Sequence, residues 1–173
     1  MEESDFDEFD IELEKFDDLI DLIERNSRYD SRKIYILESL LSNYDEPLYL
    51  GRGTFAISFM IKIEDEPHVI KFMGEKSISF YKELWKEISN EDKKFFASII
   101  HFNRHFIVQE YCKKIKYKTL YNDTEKNYIR IAKKYGILES MNRDIFDDKR
   151  MYANIGKNLL GEIKIFDMLA KKR

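Results

Sequence analysis

The chain has 173 residues, of which 43% are hydrophobic and 36% charged, and its net charge is −3. This length predicts one domain, or one domain with an extension. The single cysteine, Cys112, excludes an intramolecular disulfide and a multi-cysteine zinc site. Since no apolar segment has the length of a signal peptide or a membrane span, the sequence predicts a cytoplasmic protein without a membrane partner.

The charge is distributed unevenly along the chain. Residues 1–24 carry twelve acids and one base, a net charge of −11, whereas the other 149 residues carry 29 bases and 21 acids, a net charge of +8. Apolar residues recur in the acidic segment at helical spacing: Ile11, Leu13, Phe16, Leu19, Ile20 and Ile23. A second helical pattern begins at Asp30 or Ser31. We therefore predict an acidic helical extension over residues 1–45, either solvated or covering a basic surface in cis or on a partner.

The central stretch, residues 49–71, predicts three strands joined by a glycine turn and an acidic turn. Gly51 and Gly53 allow the backbone to approach a phosphate closely, since no Cβ intervenes, and Phe55 could fold over that phosphate. Lys71 directly follows two β-branched residues of the third strand, where an amine needs a partner. The alternative is a plain β-hairpin whose edge is protected by the lysine.

Residues 46–112 predict a five-stranded sheet with one helix inserted after the third strand. The helical pattern covers residues 79–88 and includes Glu83, and two further strands are predicted at residues 95–100 and 106–112. Residues 113–173 then predict a basic connector, a helix over about 123–135 and a late hairpin.

The late hairpin carries two groups that could bind a metal. Asn154 precedes it and Asp167 ends it, thirteen residues later, and hard oxygen ligands of this kind suit Mg²⁺. The alternative is a turn signal at Asn154 and a strand-end cap at Asp167. Upstream lies the sequence Asn142-Arg143-Asp144-Ile145.

In this order the motifs resemble the protein-kinase-like fold, and most closely small bacteriophage-encoded kinase-like proteins. The resemblance extends from about Leu48 to Asp167. It implies an α+β fold in which a five-stranded antiparallel N-terminal lobe with one helix (46–112) precedes a minimal helical C-terminal lobe (113–173).

The resemblance also implies roles for the first group of site residues. Gly51, Gly53 and Phe55 would cover the phosphates of ATP. Lys71 would bind the phosphates, and Glu83 on the following helix would orient the lysine.

A second group of site residues would complete the site. Glu110 and Cys112 would belong to the hinge that pairs with adenine. Asp144 would be the catalytic aspartate, and Asn154 and Asp167 would hold Mg²⁺. The implied activity is transfer of the ATP γ-phosphate to a protein Ser or Thr hydroxyl in a host cytoplasm.

Departures from the kinase pattern leave two functions open. Lys149 occupies the position five residues before Asn154, where the family pattern has its acid, and the chain ends six residues after Asp167. One function is a minimal ATP- and Mg²⁺-dependent phosphotransferase. The other is an inactive pseudokinase that binds or inhibits a host protein. A shortened second lobe favours a protein partner or a homodimer, whereas nucleic-acid binding is disfavoured because the basic connector lacks an aromatic stacking platform.

Overall fold

The structure is a computed structural model that describes residues 31–44, 47–52, 56–115, 122–136 and 154–168. In these residues the chain forms an α+β fold with four α-helices, a five-stranded antiparallel sheet and a second sheet of three strands. The predicted five-stranded antiparallel sheet is thus confirmed, with its helix inserted after the third strand. The first predicted N-terminal helix, within residues 1–30, lies outside the described residues.

The elements have the following bounds. The helices are α1 (Ser31–Leu40), α2 (Glu75–Glu87), α3 (Asn90–Lys93) and α4 (Asn122–Lys134), and a 3-10 turn (Leu41–Asn43) continues α1. The five-stranded sheet contains β1 (Leu48–Arg52), β2 (Ala56–Ile63), β3 (Glu66–Met73), β4 (Ile99–Phe102) and β5 (Phe106–Glu110), in the order β1-β2-β3-β5-β4. The second sheet contains β6 (Lys113–Lys114), β7 (Ile155–Lys157) and β8 (Ile163–Ile165), in that order.

One face of the five-stranded sheet is covered by α1. Leu37 and Leu41 are buried in one hydrophobic cluster with Phe59, Phe72 and Phe106 of the sheet. The ring centroid of Phe72 lies 6.2 Å from that of Phe59 and 5.9 Å from that of Phe106. Since successive side chains of a strand point to opposite faces, the residues between these aromatics face the other way.

The opposite face of the sheet packs against α2, α4 and the second sheet. Ile78, Tyr81 and Leu84 form the buried stripe of α2. They share a second hydrophobic cluster with Ile131 of α4 and Ile165 of β8. The candidate site lies on this face, at the junction between the two sheets.

At the junction between the sheets, one predicted strand begins later in the chain than expected. The sequence predicts a strand over residues 95–100, but β4 begins only at Ile99. The preceding segment bonds to β8 instead, since Ala97 N donates to Ile165 O (2.8 Å) and Ile165 N donates to Phe95 O (2.8 Å). The described part of residues 113–173 therefore contains a three-stranded sheet and one helix, where a minimal helical lobe was expected.

A close backbone contact holds β6 against β7. Gly156 of β7 pairs with Lys114. A Cβ atom on Gly156 would lie 2.9 Å from the carbonyl oxygen of Lys113 and 3.0 Å from Cβ of Cys112. The absence of a side chain at residue 156 thus permits the segment after β5 to reach the second sheet. No helix in the described part of the chain is both long and apolar enough to span a membrane.

Candidate functional site

Lys71 is the buried cation of the site. It lies in β3 opposite Ser58 of β2 and Ile107 of β5, on the sheet face that is turned away from α1. Only 6% of the residue is exposed. A lysine is rarely buried to this degree unless its amine has a partner, so its surroundings decide what it can do.

The amine of Lys71 contacts the end of the second sheet. Lys71 Nζ donates a hydrogen bond of 2.5 Å to the carbonyl oxygen of Phe166. It also lies 5.9 Å from the ring centroid of Tyr81 and 5.7 Å from that of Phe166. Burial lowers the pKa of Lys71, and the negative charge of Asp167 opposes that decrease. An ammonium group has three donors, so Lys71 keeps the capacity to bind an anionic group.

A second side chain holds the same carbonyl group. Gln109, 2% exposed in β5, donates from Nε2 to the carbonyl oxygen of Phe166 over 3.1 Å. Two buried donors from neighbouring strands therefore bind one acceptor. This arrangement fixes the backbone immediately before Asp167.

Tyr81 connects α2 to Asp167. Its side chain is fully buried, and its hydroxyl donates to Oδ1 of Asp167 over 3.0 Å. The same hydroxyl oxygen accepts a hydrogen bond from the backbone N–H of Met168 over 3.1 Å. The phenol thus orients the Asp167 carboxylate and satisfies a buried backbone donor next to it.

Asn154 and Asp167 lie at the same end of the β7–β8 hairpin. Ile155 pairs with Ile165, and Phe166 N donates to Asn154 O over 2.9 Å. Both candidate ligands are half-buried. In the described residues, no three His, Cys, Asp or Glu side chains cluster as a metal site. Mg²⁺ can be held by one or two protein oxygens when phosphates and waters complete its shell, and this pair fits that requirement.

The predicted hinge residues join the two sheets. The carboxylate of Glu110 accepts hydrogen bonds from Ser98 N (3.2 Å) and from Asn158 Nδ2 (2.7 Å), the latter in the turn between β7 and β8. Cys112 is partly buried, and burial, followed by the charge of Glu110, raises its pKa to about 12. The thiol is therefore neutral at physiological pH.

The structure does not bring Glu83 to Lys71. Glu83 is exposed, two residues after Tyr81 in α2. Since a helix turns by about 100° per residue, side chains two residues apart point to nearly opposite sides. Tyr81 is therefore the α2 side chain next to Lys71, and the predicted Lys71–Glu83 pair is not formed.

The remaining predicted residues are placed only in part. Gly51 lies at a bulge of β1 with φ of 144°, a conformation that L-residues rarely adopt. This position needs glycine for its backbone, whether or not a phosphate binds there. Gly53, Phe55 and Asp144 lie outside the described residues.

Two contributions were missed by the sequence analysis. Tyr81 stands at the centre of the buried stripe formed with Ile78 and Leu84, and a phenol on a buried stripe needs a partner for its hydroxyl. The three-residue spacing of Ile78, Tyr81 and Leu84 could therefore have predicted that the Tyr81 hydroxyl forms a buried hydrogen bond. The carbonyl of Phe166 has no sequence signal, because a backbone acceptor is common to all residues.

Comparisons with known proteins give no relative from which a function could be transferred. No protein-family model matches the chain, and no curated protein sequence matches it.

Proposed function

We propose that the chain is a kinase-like protein that binds ATP with Mg²⁺ between the five-stranded sheet and the β7–β8 hairpin. One observation carries the proposal: the 2.5 Å contact between Lys71 Nζ and the carbonyl oxygen of Phe166. It brings the buried cation of the sheet next to Asp167, although the two residues are far apart in sequence. A cation beside a carboxylate and an amide suits a phosphate that shares a metal ion.

In this proposal each described residue has a distinct task. Lys71 binds the phosphates with the ammonium donors that the Phe166 carbonyl does not use. Asn154 and Asp167 supply oxygen ligands for Mg²⁺. Tyr81 keeps the Asp167 carboxylate in place. The segment from Glu110 to Cys112 borders the site on the side of the second sheet.

Phosphoryl transfer is the further step of the proposal. A protein Ser or Thr hydroxyl would attack the γ-phosphorus of ATP, ADP would leave, and the hydroxyl proton would pass to Asp144. Positioning and charge stabilisation would supply most of the rate enhancement.

A second candidate function is an inactive, pseudokinase-type interaction module. This function is favoured because the groups that would bind ATP already form contacts within the protein. Lys71 binds a backbone carbonyl, and the α2 side chain next to it is the neutral Tyr81, whereas the acid that was expected there, Glu83, is exposed. Such a protein would use the fold as a rigid scaffold for a protein partner.

Thermal denaturation with and without ATP and Mg²⁺ tests the binding proposal. A ligand at one hundred times its Kd stabilises the folded state by about 2.7 kcal/mol, which corresponds to a Tm increase of roughly 5–11 °C in a domain of this size. The wild-type chain should show an increase of this order. If a folded sample shows no shift at millimolar ATP and Mg²⁺, the nucleotide-binding proposal is wrong.

Matched variants locate the bound nucleotide. Lys71→Met and Asp167→Asn should each abolish the ATP-dependent shift. Lys62→Met and Asp65→Asn make the same chemical changes at exposed positions of β2 and its turn, and they should retain the shift. A shift that survives in the first pair would place the nucleotide elsewhere.

Labelled ATP separates the enzyme from the binding protein. An active kinase should transfer label to itself or to a generic protein substrate, and Asp144→Asn should abolish that transfer while retaining the ATP-dependent thermal shift. Binding without transfer would favour the interaction module.

A further inference from the structure

Three exposed lysines are concentrated where β6 meets β7. Lys113 lies directly opposite Lys157 in the antiparallel pair, and Lys114 follows on the other face of β6, an edge strand of this sheet. Directly opposed side chains of such a pair have Cβ atoms about 5 Å apart, and like charges in this position repel each other. None of the three lysines forms an ion pair with another residue of the described ranges.

Two exposed leucines adjoin these lysines. Leu159 and Leu160 follow Lys157 in the turn between β7 and β8, and they are 64% and 83% exposed. The turn itself is held firmly, since Glu162 N donates to Asn158 Oδ1 over 2.8 Å and Asn158 Nδ2 donates to Glu110 over 2.7 Å. A fixed turn therefore presents apolar surface beside the Lys113–Lys157 pair, with Lys114 on the same edge strand, a combination typical of an interaction site. We call Lys113, Lys114, Lys157, Leu159 and Leu160 the lysine–leucine surface.

The same chain contains a segment of complementary chemistry. Residues 2–24 include twelve acids and one base, and five of their large apolar residues are spaced alternately by four and three: Phe9, Leu13, Phe16, Ile20 and Ile23. Residues 25–30 connect the segment to α1 and reach about 20 Å when extended. The segment itself would be about 35 Å long as a helix, and the radius of gyration of a domain of this size is about 16 Å, so part of the segment can lie on a distant surface of its own domain.

We propose that residues 2–24 dock in cis on the lysine–leucine surface, with their carboxylates on the lysines and their apolar residues on the two leucines. Relief of the repulsion between Lys113 and Lys157 and burial of the leucines both favour this contact. Attachment to the same chain also gives the segment a high effective concentration. Since Lys113 directly follows Cys112, the docked segment would lie beside the segment that borders the candidate site. The proposal itself does not require that a nucleotide binds.

Zero-length carbodiimide cross-linking of the full chain tests where residues 2–24 dock and whether they dock on their own chain or on a second copy. An equimolar mixture of unlabelled and ¹⁵N-labelled chains is cross-linked at low ionic strength and analysed by mass spectrometry. We expect links from Lys113, Lys114 or Lys157 to acids of residues 2–24, with both peptides carrying the same isotope. Mixed-isotope links would assign the segment to a second copy, and links spread evenly over the exposed lysines would show no docking. Either result would overturn the proposal.

Hydrogen exchange of the full chain tests the energetic contribution of the surface. The triple variant Lys113→Gln, Lys114→Gln and Lys157→Gln should lose protection of the amides of residues 11–23 by roughly threefold to a hundredfold, as expected for three exposed charge pairs. The control variant Lys62→Gln, Lys76→Gln and Lys86→Gln has the same net charge and changes exposed lysines elsewhere. It should retain the protection.

The leucines provide an independent variant. Leu159→Ser with Leu160→Ser changes no charge and should also reduce protection of residues 11–23. Thermal denaturation of each variant confirms that the domain is folded. Equal protection in the wild type and both lysine variants, or unprotected amides in the wild type, would contradict the proposal.

Discussion

Replacement of Tyr81 by phenylalanine tests the contact between α2 and Asp167. The substitution removes one oxygen atom and keeps the aromatic ring, which is fully buried. Two hydrogen bonds are lost: the one donated to Oδ1 of Asp167 and the one accepted from Met168 N. The experiment therefore isolates the polar function of this residue from its packing.

The expected change in the free energy of unfolding follows from the loss of these two hydrogen bonds. A hydrogen bond to a charged group contributes about 1.5–3 kcal/mol, and a buried donor without a partner costs about 1–3 kcal/mol. Relaxation of the backbone or entry of water at Met168 would recover part of the second contribution. We therefore expect Tyr81→Phe to reduce the free energy of unfolding by about 2–4 kcal/mol, equivalent to a Tm decrease of roughly 4–16 °C.

Urea denaturation followed by circular dichroism measures this free energy. Tyr35→Phe is the matched control, because Tyr35 is 72% exposed on α1, and its effect should stay within about 0.5 kcal/mol. If Tyr81→Phe behaves like that control, the hydroxyl does not hold Asp167 and the reasoning is refuted. An unchanged slope of unfolding free energy against urea would show that both variants unfold from the same compact state.

Three further predictions concern other parts of the fold. Hydrogen bonds from Lys134 and Tyr135 lower the pKa of Asp92 to about 2. In urea titrations at different pH values, the stability advantage of the wild type over Asp92→Asn should therefore be complete above about pH 5 and should be lost as the pH falls through 3.8 to below about 2. Burial raises the pKa of Cys112 to about 12, so its thiolate population at pH 8 is much smaller in the folded than in the urea-unfolded chain. Alkylation at pH 8 should therefore be at least about tenfold slower in the folded chain. Equal rates would show that the thiol is not shielded. Gly156→Ala should reduce the free energy of unfolding by about 1–3 kcal/mol, since the added Cβ meets the Lys113 carbonyl at 2.9 Å; an unchanged urea midpoint would mean that the two strands separate at no cost.

The elements that the sequence predicted are those specified by local periodicity. The alternation around Lys71 and the three-four spacing through Tyr81 predict β3 and α2, because each pattern is complete within one element. The resemblance to the kinase-like fold implied that Lys71 and Asp167 would belong to one site. The two residues lie next to each other, while the function of the site and the kinase-like fold stay proposals.

The structure differs from the sequence prediction where contacts between distant segments determine the conformation of a residue. Phe95 and Ala97 have the composition of a strand, but their backbone groups bond to Ile165, a residue almost seventy positions later. Glu83 was placed between core-facing positions by the helical pattern, yet a rotation of about 100° per residue is enough to turn it to solvent. Only the packed position of α2 identifies Tyr81 as the inward polar group. Local sequence cannot supply a contact that depends on the relative placement of two elements.

Lys71→Met distinguishes a cation kept for ligand binding from one required by the fold. Removal of the amine does not leave the Phe166 carbonyl without a donor, because Gln109 Nε2 also donates to it. An apolar side chain of similar length also avoids the cost of desolvating the ammonium group, which is the main cause of the lowered pKa of Lys71. We therefore expect the free energy of unfolding at pH 7 to change by less than about 1 kcal/mol.

The pH dependence of this variant has a defined sign. With a lowered pKa in the folded state, Lys71 binds fewer protons there than in the unfolded state at pH values between its folded pKa and its ordinary value of 10.5. The wild type should therefore gain stability relative to Lys71→Met as the pH rises through that interval. A loss of 3 kcal/mol or more at pH 7 would mean that the fold requires the amine. Preserved stability together with a lost ATP-dependent shift would identify the buried cation as a binding group, since the fold does not need it.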